Sequence, residues 1–258
     1  MGIRTEATDK WVRGYVGETP IVDTRDALLF WEEKFPVPGY AFRRDDVRID
    51  LLRPSEAAPT GRSFYTAKGP VVEWYDVVVG DRVIEHAAWV RDDPAISDRI
   101  VVSWQPGVID RWLEEDDEVI SHPRDPHKRV EALPSSRHVE VSLEGTVLAD
   151  SHSPVLLFET DLPTRFYLPR EDVRLDVLVR TSNRSECPYK GFAREYWSLP
   201  GAAGGDNIAW SYGAPFPAVA RIIDRIAFYN ELVDIVVDGV PQERPVSLFS
   251  RAGNRPTS

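Results

Sequence analysis

Arg44-Asp45-Asp46-Val47-Arg48-Ile49-Asp50 is written a second time along the chain, as Arg170-Glu171-Asp172-Val173-Arg174-Leu175-Asp176. Val47 to Val173 is an offset of 126 residues. Two further words repeat in the same order. Lys68-Gly69 returns as Lys190-Gly191, an offset of 122, and Ala88-Trp89 returns as Ala209-Trp210, an offset of 121. A slowly drifting offset is what short insertions and deletions in loops leave behind after a duplication, and three ordered matches of uncommon residue types exclude coincidence. The chain therefore reads as two small domains, each with its own core. The first is expected over 10–116 and the second over 137–240, with a proline-punctuated, charged linker over 117–136 and a polar tail over 241–258.

Working outward from the repeat, period-two patterns dominate. Residues 11–16, 21–23 and 27–31 read as strands, with turn chemistry at Gly17-Glu18-Thr19-Pro20. Residues 71–79 run into Gly80-Asp81 and then Arg82-Val83-Ile84, a hairpin signal. In the second half, residues 138–143 alternate well and Glu144-Gly145 turns them into 146–150. Residues 235–240 close the domain with strand propensity. One segment departs from this pattern. Residues 218–230 place Val219, Ile222, Ile223, Ile226 and Ala227 at helical spacing behind Pro217, so a helix is expected there. Residues 1–9 lack periodicity and are expected to fray. The fold class is mostly β with a minor helix.

Composition bounds the function. Of 258 residues, 31 are Lys or Arg and 42 are Asp or Glu, a net charge of −11, which opposes binding to nucleic acid or anionic lipid. Hydrophobic residues make up 42%, enough to pack cores. No apolar run approaches a membrane span, and the N-terminus has no signal core. Cys187 is the single cysteine, which rules out an intramolecular disulfide and a cysteine-rich zinc site. The five histidines are scattered, so neither a metal site nor a cofactor is expected. The expectation is a cytoplasmic protein without nucleic-acid or membrane partners.

Several of the second half's words resemble the family known as DUF427, a domain of unknown function. They are Tyr167-Leu168-Pro169-Arg170-Glu171-Asp172-Val173-Arg174-Leu175-Asp176, Cys187-Pro188-Tyr189-Lys190-Gly191, Tyr196-Trp197-Ser198, Ala209-Trp210-Ser211-Tyr212 and Ala227-Phe228-Tyr229. The first half keeps Arg44 to Asp50, Lys68-Gly69 and Ala88-Trp89, but has Thr66 or Tyr65 at the cysteine position. The resemblance implies compact antiparallel β domains in a tent-like arrangement, two small sheets meeting at an angle. A nucleotidyltransferase label travels with this family. The residues do not support it, since the chain has neither a Gly-Ser phosphate loop leading to paired acids nor a P-loop.

The chemistry-bearing residues read two ways. On a strand, Asp172, Arg174 and Asp176 share a face, as do Asp46, Arg48 and Asp50. They form either a carboxylate pair for a ligand or a row of charges satisfying one another, and recurrence in both copies favours the second. Cys187 is either a thiol activated by Lys190 or a small packing residue. Tyr189, Tyr196, Trp197, Trp210 and Tyr212 are either core or the walls of a cleft. The leading expectation is a small-molecule-binding module. Its site is placed in the second copy, built from Arg170, Asp172, Tyr189, Lys190, Trp197, Trp210 and Tyr212, with Lys190 exposed and contributing little to packing. The alternatives are an enzyme using Cys187 or Lys190 on a small polar or anionic substrate, and a structural or protein-interaction module.

Overall fold

The computed structural model describes residues 2–33, 35–61 and 64–250. The chain divides into two compact units, 1–125 and 126–258. Among the described residues the secondary structure is mostly strand, interrupted by short 3-10 turns. No helix is long and apolar enough to cross a membrane.

The described residues of the first unit form eleven strands. They are β1 (Ile3–Ala7), β2 (Val12–Val16), β3 (Thr19–Thr24), β4 (Leu28–Glu32), β5 (Gly39–Arg43) and β6 (Leu52–Pro54), then β7 (Val71–Val79), β8 (Arg82–Arg91), β9 (Arg99–Val102), β10 (Arg111–Glu114) and β11 (Asp117–Glu118). A seven-stranded sheet runs β1-β4-β5-β9-β8-β7-β6, and a four-stranded sheet runs β11-β10-β2-β3. The second unit begins with β12 (Val130–Pro134), β13 (Val139–Leu143), β14 (Thr146–Ser151), β15 (Val155–Glu159), β16 (Arg165–Leu168) and β17 (Val179–Thr181). It continues with β18 (Ser185–Cys187), β19 (Gly191–Ala193), β20 (Glu195–Ser198), β21 (Ala209–Ser211), β22 (Ile226–Phe228), β23 (Asp234–Val237) and β24 (Val240–Pro241). Its sheets run β12-β15-β16-β22-β21-β20-β17 and β14-β13-β23-β24. Strand for strand, this is the order of the first unit. The short hairpin β18–β19, which carries Cys187, is the addition.

The duplication can now be read residue by residue from the ladders. Leu28 pairs with Ala41, which pairs with Val101, which pairs with Trp89. In the second unit Val155 pairs with Tyr167, Tyr167 with Ala227, and Ala227 with Trp210. Ala41 therefore corresponds to Tyr167, and Trp89 to Trp210.

Each large sheet packs both faces, because neighbouring residues on a strand point opposite ways. In β22, Ile226 and Phe228 join the cluster shared with the small sheet, whereas Ala227 joins the cluster on the outer face, with Tyr229 beyond it. In the first unit Gly14 and Trp112 are cross-strand partners, and a Cβ at Gly14 would lie 2.7 Å from the indole. Val141 and Ile235 fill the same pair in the second unit, trading one large and one absent side chain for two of middle size.

Several expectations change. The segments read as frayed and as linker contain β1 and β12, which pair with β4 and β15 at equivalent edges. The repeated heptads are 3-10 turns, Arg44–Asp46 and Arg170–Asp172, rather than strands. Single β-bridges, Val22 to Val47 and Ala149 to Val173, join them to the small sheets. Their charges are satisfied locally. Arg48 and Arg174 make two hydrogen bonds each to Asp50 and Asp176, and Thr24 and Ser151 donate to Asp46 and Asp172. The expected helix is a 3-10 turn, Pro217–Ile222, followed by Asp224 at φ 55° and then β22. Its apolar spacing combines a turn and a period-two strand. The tail is not wholly detached, since Phe249 packs 5.7 Å from the Tyr229 ring.

Candidate functional site

The expected site residues of the second unit are brought near one another but do not line one open cleft. Tyr196 and Trp197 are consecutive on β20 and face opposite sides. Trp197 packs in the cluster shared with the small sheet, and Trp210 and Tyr212 pack in the outer one. Lys190 is 9% exposed, and its ammonium donates to the Glu159 carboxylate. Burial alone would lower the Lys190 pKa, but the electrostatic influence of Cys187, Glu159 and Tyr167 raises it well above the ordinary value. The Glu159 carboxylate thus holds the Lys190 ammonium in its charged form. Arg170 donates to Glu195 and lies 5.3 Å from the Trp197 ring centre, so its charge is also answered. Asp172 accepts from Ser151 at 2.6 Å. Cys187 and Tyr189 are half-buried in and beside the hairpin, where Lys190 N–H closes the turn onto the Cys187 carbonyl at 3.2 Å. The expectation of an exposed pocket lysine is thus corrected: Glu159 at the end of β15 needs a buried cation, and Lys190 supplies it.

Around this pair the outer face is filled by tyrosines. Tyr167 receives the Trp210 indole N–H at 3.1 Å. Tyr196 shares a hydrogen bond with Ser185 at 2.6 Å, and Tyr229 lies over Trp210 with ring centres 4.4 Å apart. Burial raises the pKa of Tyr167, Tyr196, Tyr212 and Tyr229, so all four stay protonated.

The register shows what the first unit has instead. Trp74 pairs with Trp89 as Tyr196 pairs with Trp210. Ser103 N–H bonds the Ala87 carbonyl as Tyr229 N–H bonds that of Ile208. The four tyrosines 167, 196, 212 and 229 are therefore Ala41, Trp74, Arg91 and Ser103. Arg91 takes the buried acid, meeting Glu32 at 2.5 Å, and a Cβ at Gly69 would come within 2.4 Å of its guanidinium. Lys68 N–H donates to Glu32 at 3.2 Å, and its ammonium lies 4.6 Å from the Phe35 ring centre. With Ala41 in place of Tyr167, the Trp89 indole N–H is buried without a partner among the described residues.

Beside Ser103, which stands where the second unit has Tyr229, a cleft of about 430 Å³ opens. Tyr65, Trp74, His86 and Trp89 line it with Glu85, Ser103 and Gln105, beneath Pro59, Thr60 and Gly61 of the β6–β7 loop. A β-bulge shapes its wall. The β7–β8 ladder shifts register between Tyr75 and Val77, and His86 is forced to φ 53°, a left-handed conformation costly for a residue other than glycine. Asp76 holds the bulge. It accepts His86 N–H at 3.0 Å, Ser55 Oγ at 2.6 Å and Arg53 at 3.0 Å. The His86 ring is fixed by Ala57 O at 2.8 Å and stands edge-on to Trp74. The result is an aromatic cleft with one carboxylate, one imidazole and several neutral polar groups.

A family model described as a domain of unknown function (DUF427) matches residues 4–114 and again residues 131–239. The chain belongs to this family and carries its domain twice. A search of curated proteins finds no match.

The cleft residues were not singled out from the sequence as a site. The signal was present in the repeat itself: at positions packed around the shared tryptophan, one copy carries tyrosines and the other Ala41 and Ser103. Only the ladders reveal that those positions converge.

Proposed function

We propose that the protein is a small-molecule-binding module and that its ligand sits in the cleft of the first unit. The supporting observation is a contrast at one position: Tyr229 packs against Trp210 in the second unit, whereas Ser103 at the equivalent place leaves Trp89 facing the cleft. Ligand pockets typically enclose about 300–1,000 Å³, and this cleft falls in that range. Its chemistry favours a flat or cationic polar molecule. Trp74 and Tyr65 offer π faces, Glu85 a negative charge, and the chain's net charge of −11 attracts cations.

The test uses the second unit's own answer. Ser103→Tyr should place a ring over Trp89 as Tyr229 lies over Trp210, closing the cleft while preserving the strand. Native mass spectrometry of the full chain, purified from its expression host and after incubation with a metabolite extract, should show a non-covalent adduct on the wild type. The Ser103→Tyr protein should lack it. An adduct retained at equal occupancy by Ser103→Tyr, or none on the wild type under either condition, would refute the assignment.

A further inference from the structure

The small sheet of the second unit presents three metal-ligating side chains on one exposed face. Val139 pairs with Ser151 and Glu140 with Asp150, so the ladder sets His138 opposite His152, one pair beyond. The His138 and His152 rings are stacked 4.1 Å apart, and His138 Nε2 lies 2.7 Å from Asp150 Oδ1. One ligand atom from each of His138, Asp150 and His152 lies within 4.8 Å of the other two. Asp150 and His152 are exposed and His138 is half-exposed, so their rotamers can change without backbone movement.

The first unit supplies the comparison. Val12 pairs with Thr24 as Val139 pairs with Ser151, so His138, Asp150 and His152 correspond to Trp11, Asp23 and Arg25. The scaffold is the same in detail. Trp11 Nε1 donates to Asp23 at 2.7 Å, and the Arg25 guanidinium lies 4.2 Å from the Trp11 ring centre. Backbone bonds match too, Glu115 N–H to the Trp11 carbonyl and Asp238 N–H to that of His138. Neither an indole nor a guanidinium can ligate a cation. In the second unit both positions are imidazole, and the acid between them is kept.

We infer that His138, Asp150 and His152 form a binding site for a borderline divalent transition-metal cation of the zinc type. Two imidazole nitrogens and one carboxylate oxygen suit such an ion, with a fourth position open to water. Ligand atoms on one tetrahedral zinc stand about 3.4 Å apart, given metal–ligand bonds of about 2.1 Å. The present separations, 2.7 Å for the His138–Asp150 pair and no more than 4.8 Å for the set, bracket that value, and rotation of the exposed His152 and Asp150 side chains adjusts them. Glu140, across the ladder from Asp150, and Asp238, which accepts His138 N–H at 2.9 Å, add negative potential around the site.

The experiment titrates tag-free full-length protein with zinc chloride by isothermal calorimetry and counts bound ions by native mass spectrometry. The key variant is His138→Trp with His152→Arg, which installs the pair that the same scaffold carries in the first unit. Wild type should take up one saturable equivalent. The double variant should bind at least about tenfold more weakly, the scale on which even outer partners of a metal act. Circular dichroism should show an unchanged fold. If that variant fails to fold, the single exposed change His152→Gln gives the same readout. No saturable equivalent on the wild type, or equal affinity in the variants, would overturn the inference.

Discussion

Lys68 and Lys190 occupy the same place in the repeat and do different work. What separates them is which side chain answers the buried carboxylate at the end of β4 or β15. In the second unit Glu159 is answered by Lys190, and Tyr212 stands where the first unit has Arg91. In the first unit Arg91 answers Glu32, and the Lys68 ammonium rests near Phe35. Identity was legible in the sequence at this scale, but environment was not, because the partner of a lysine is set by strands distant in the chain. The consequence is measurable. Lys190→Ala leaves Glu159 buried and uncompensated, and should cost about 3–5 kcal/mol in urea denaturation. Lys68→Ala, at a half-buried position whose N–H bond to Glu32 the substitution keeps, should cost less than Lys190→Ala. Equal losses would show that the two lysines are equivalent after all.

Turns and half-buried strands could be read from the sequence. β2 and β13 share a burial pattern that alternates strictly, and Glu144-Gly145 forms its hairpin with both residues at positive φ. The edge strands β1 and β12 could not, since β1 has no fully buried residue and β12 only one; ladder bonds to β4 and β15 hold them instead. Nor could the bulge in β8, whose strain is offset by one acid in another strand. Burial tends to raise the pKa of Asp76, but hydrogen bonds from Ser55, His86 N–H and Arg53 outweigh it and hold the carboxyl below its ordinary value. A carboxyl with a lowered folded pKa releases its proton more readily folded than unfolded. Its stabilisation is therefore complete above the ordinary value of 3.8 and is lost as pH falls through and below it. Asp76→Asn should lower stability at neutral pH and flatten its decline between about pH 5 and pH 3, followed by urea midpoints. A variant curve parallel to that of the wild type would show that Asp76 is not the group responsible.

Across the molecule the duplication keeps the strand order of both sheets and lets the outer faces diverge, one packed with four tyrosines and one carrying Ala41, Trp74, Arg91 and Ser103 at the same positions. This division was legible in part: the repeat and the β class follow from sequence words, while the location of the cleft depends on which side chains converge across the large sheet. The histidines that look scattered at 138 and 152 become neighbours for the same reason, since they flank the Glu144-Gly145 turn and the register shift at Val141/Ser142 brings them opposite one another. If tyrosine volume is what separates a closed face from an open one, removing a ring from the second unit should be costly there. Tyr229→Ser takes away the ring over Trp210 and over Arg165, whose guanidinium lies 5.5 Å from the Tyr229 centre. The void would be lined by Trp210, Tyr196 and Phe249, so the loss should approach that of truncating a buried aromatic, about 3–5 kcal/mol. Ser103→Tyr in the first unit fills a space already open to solvent and should change stability by less than about 1.5 kcal/mol. Chemical denaturation of the two full-length variants measures both. A small loss from Tyr229→Ser would mean that the second unit tolerates an open face as readily as the first, and that tyrosine filling does not explain where the cleft lies.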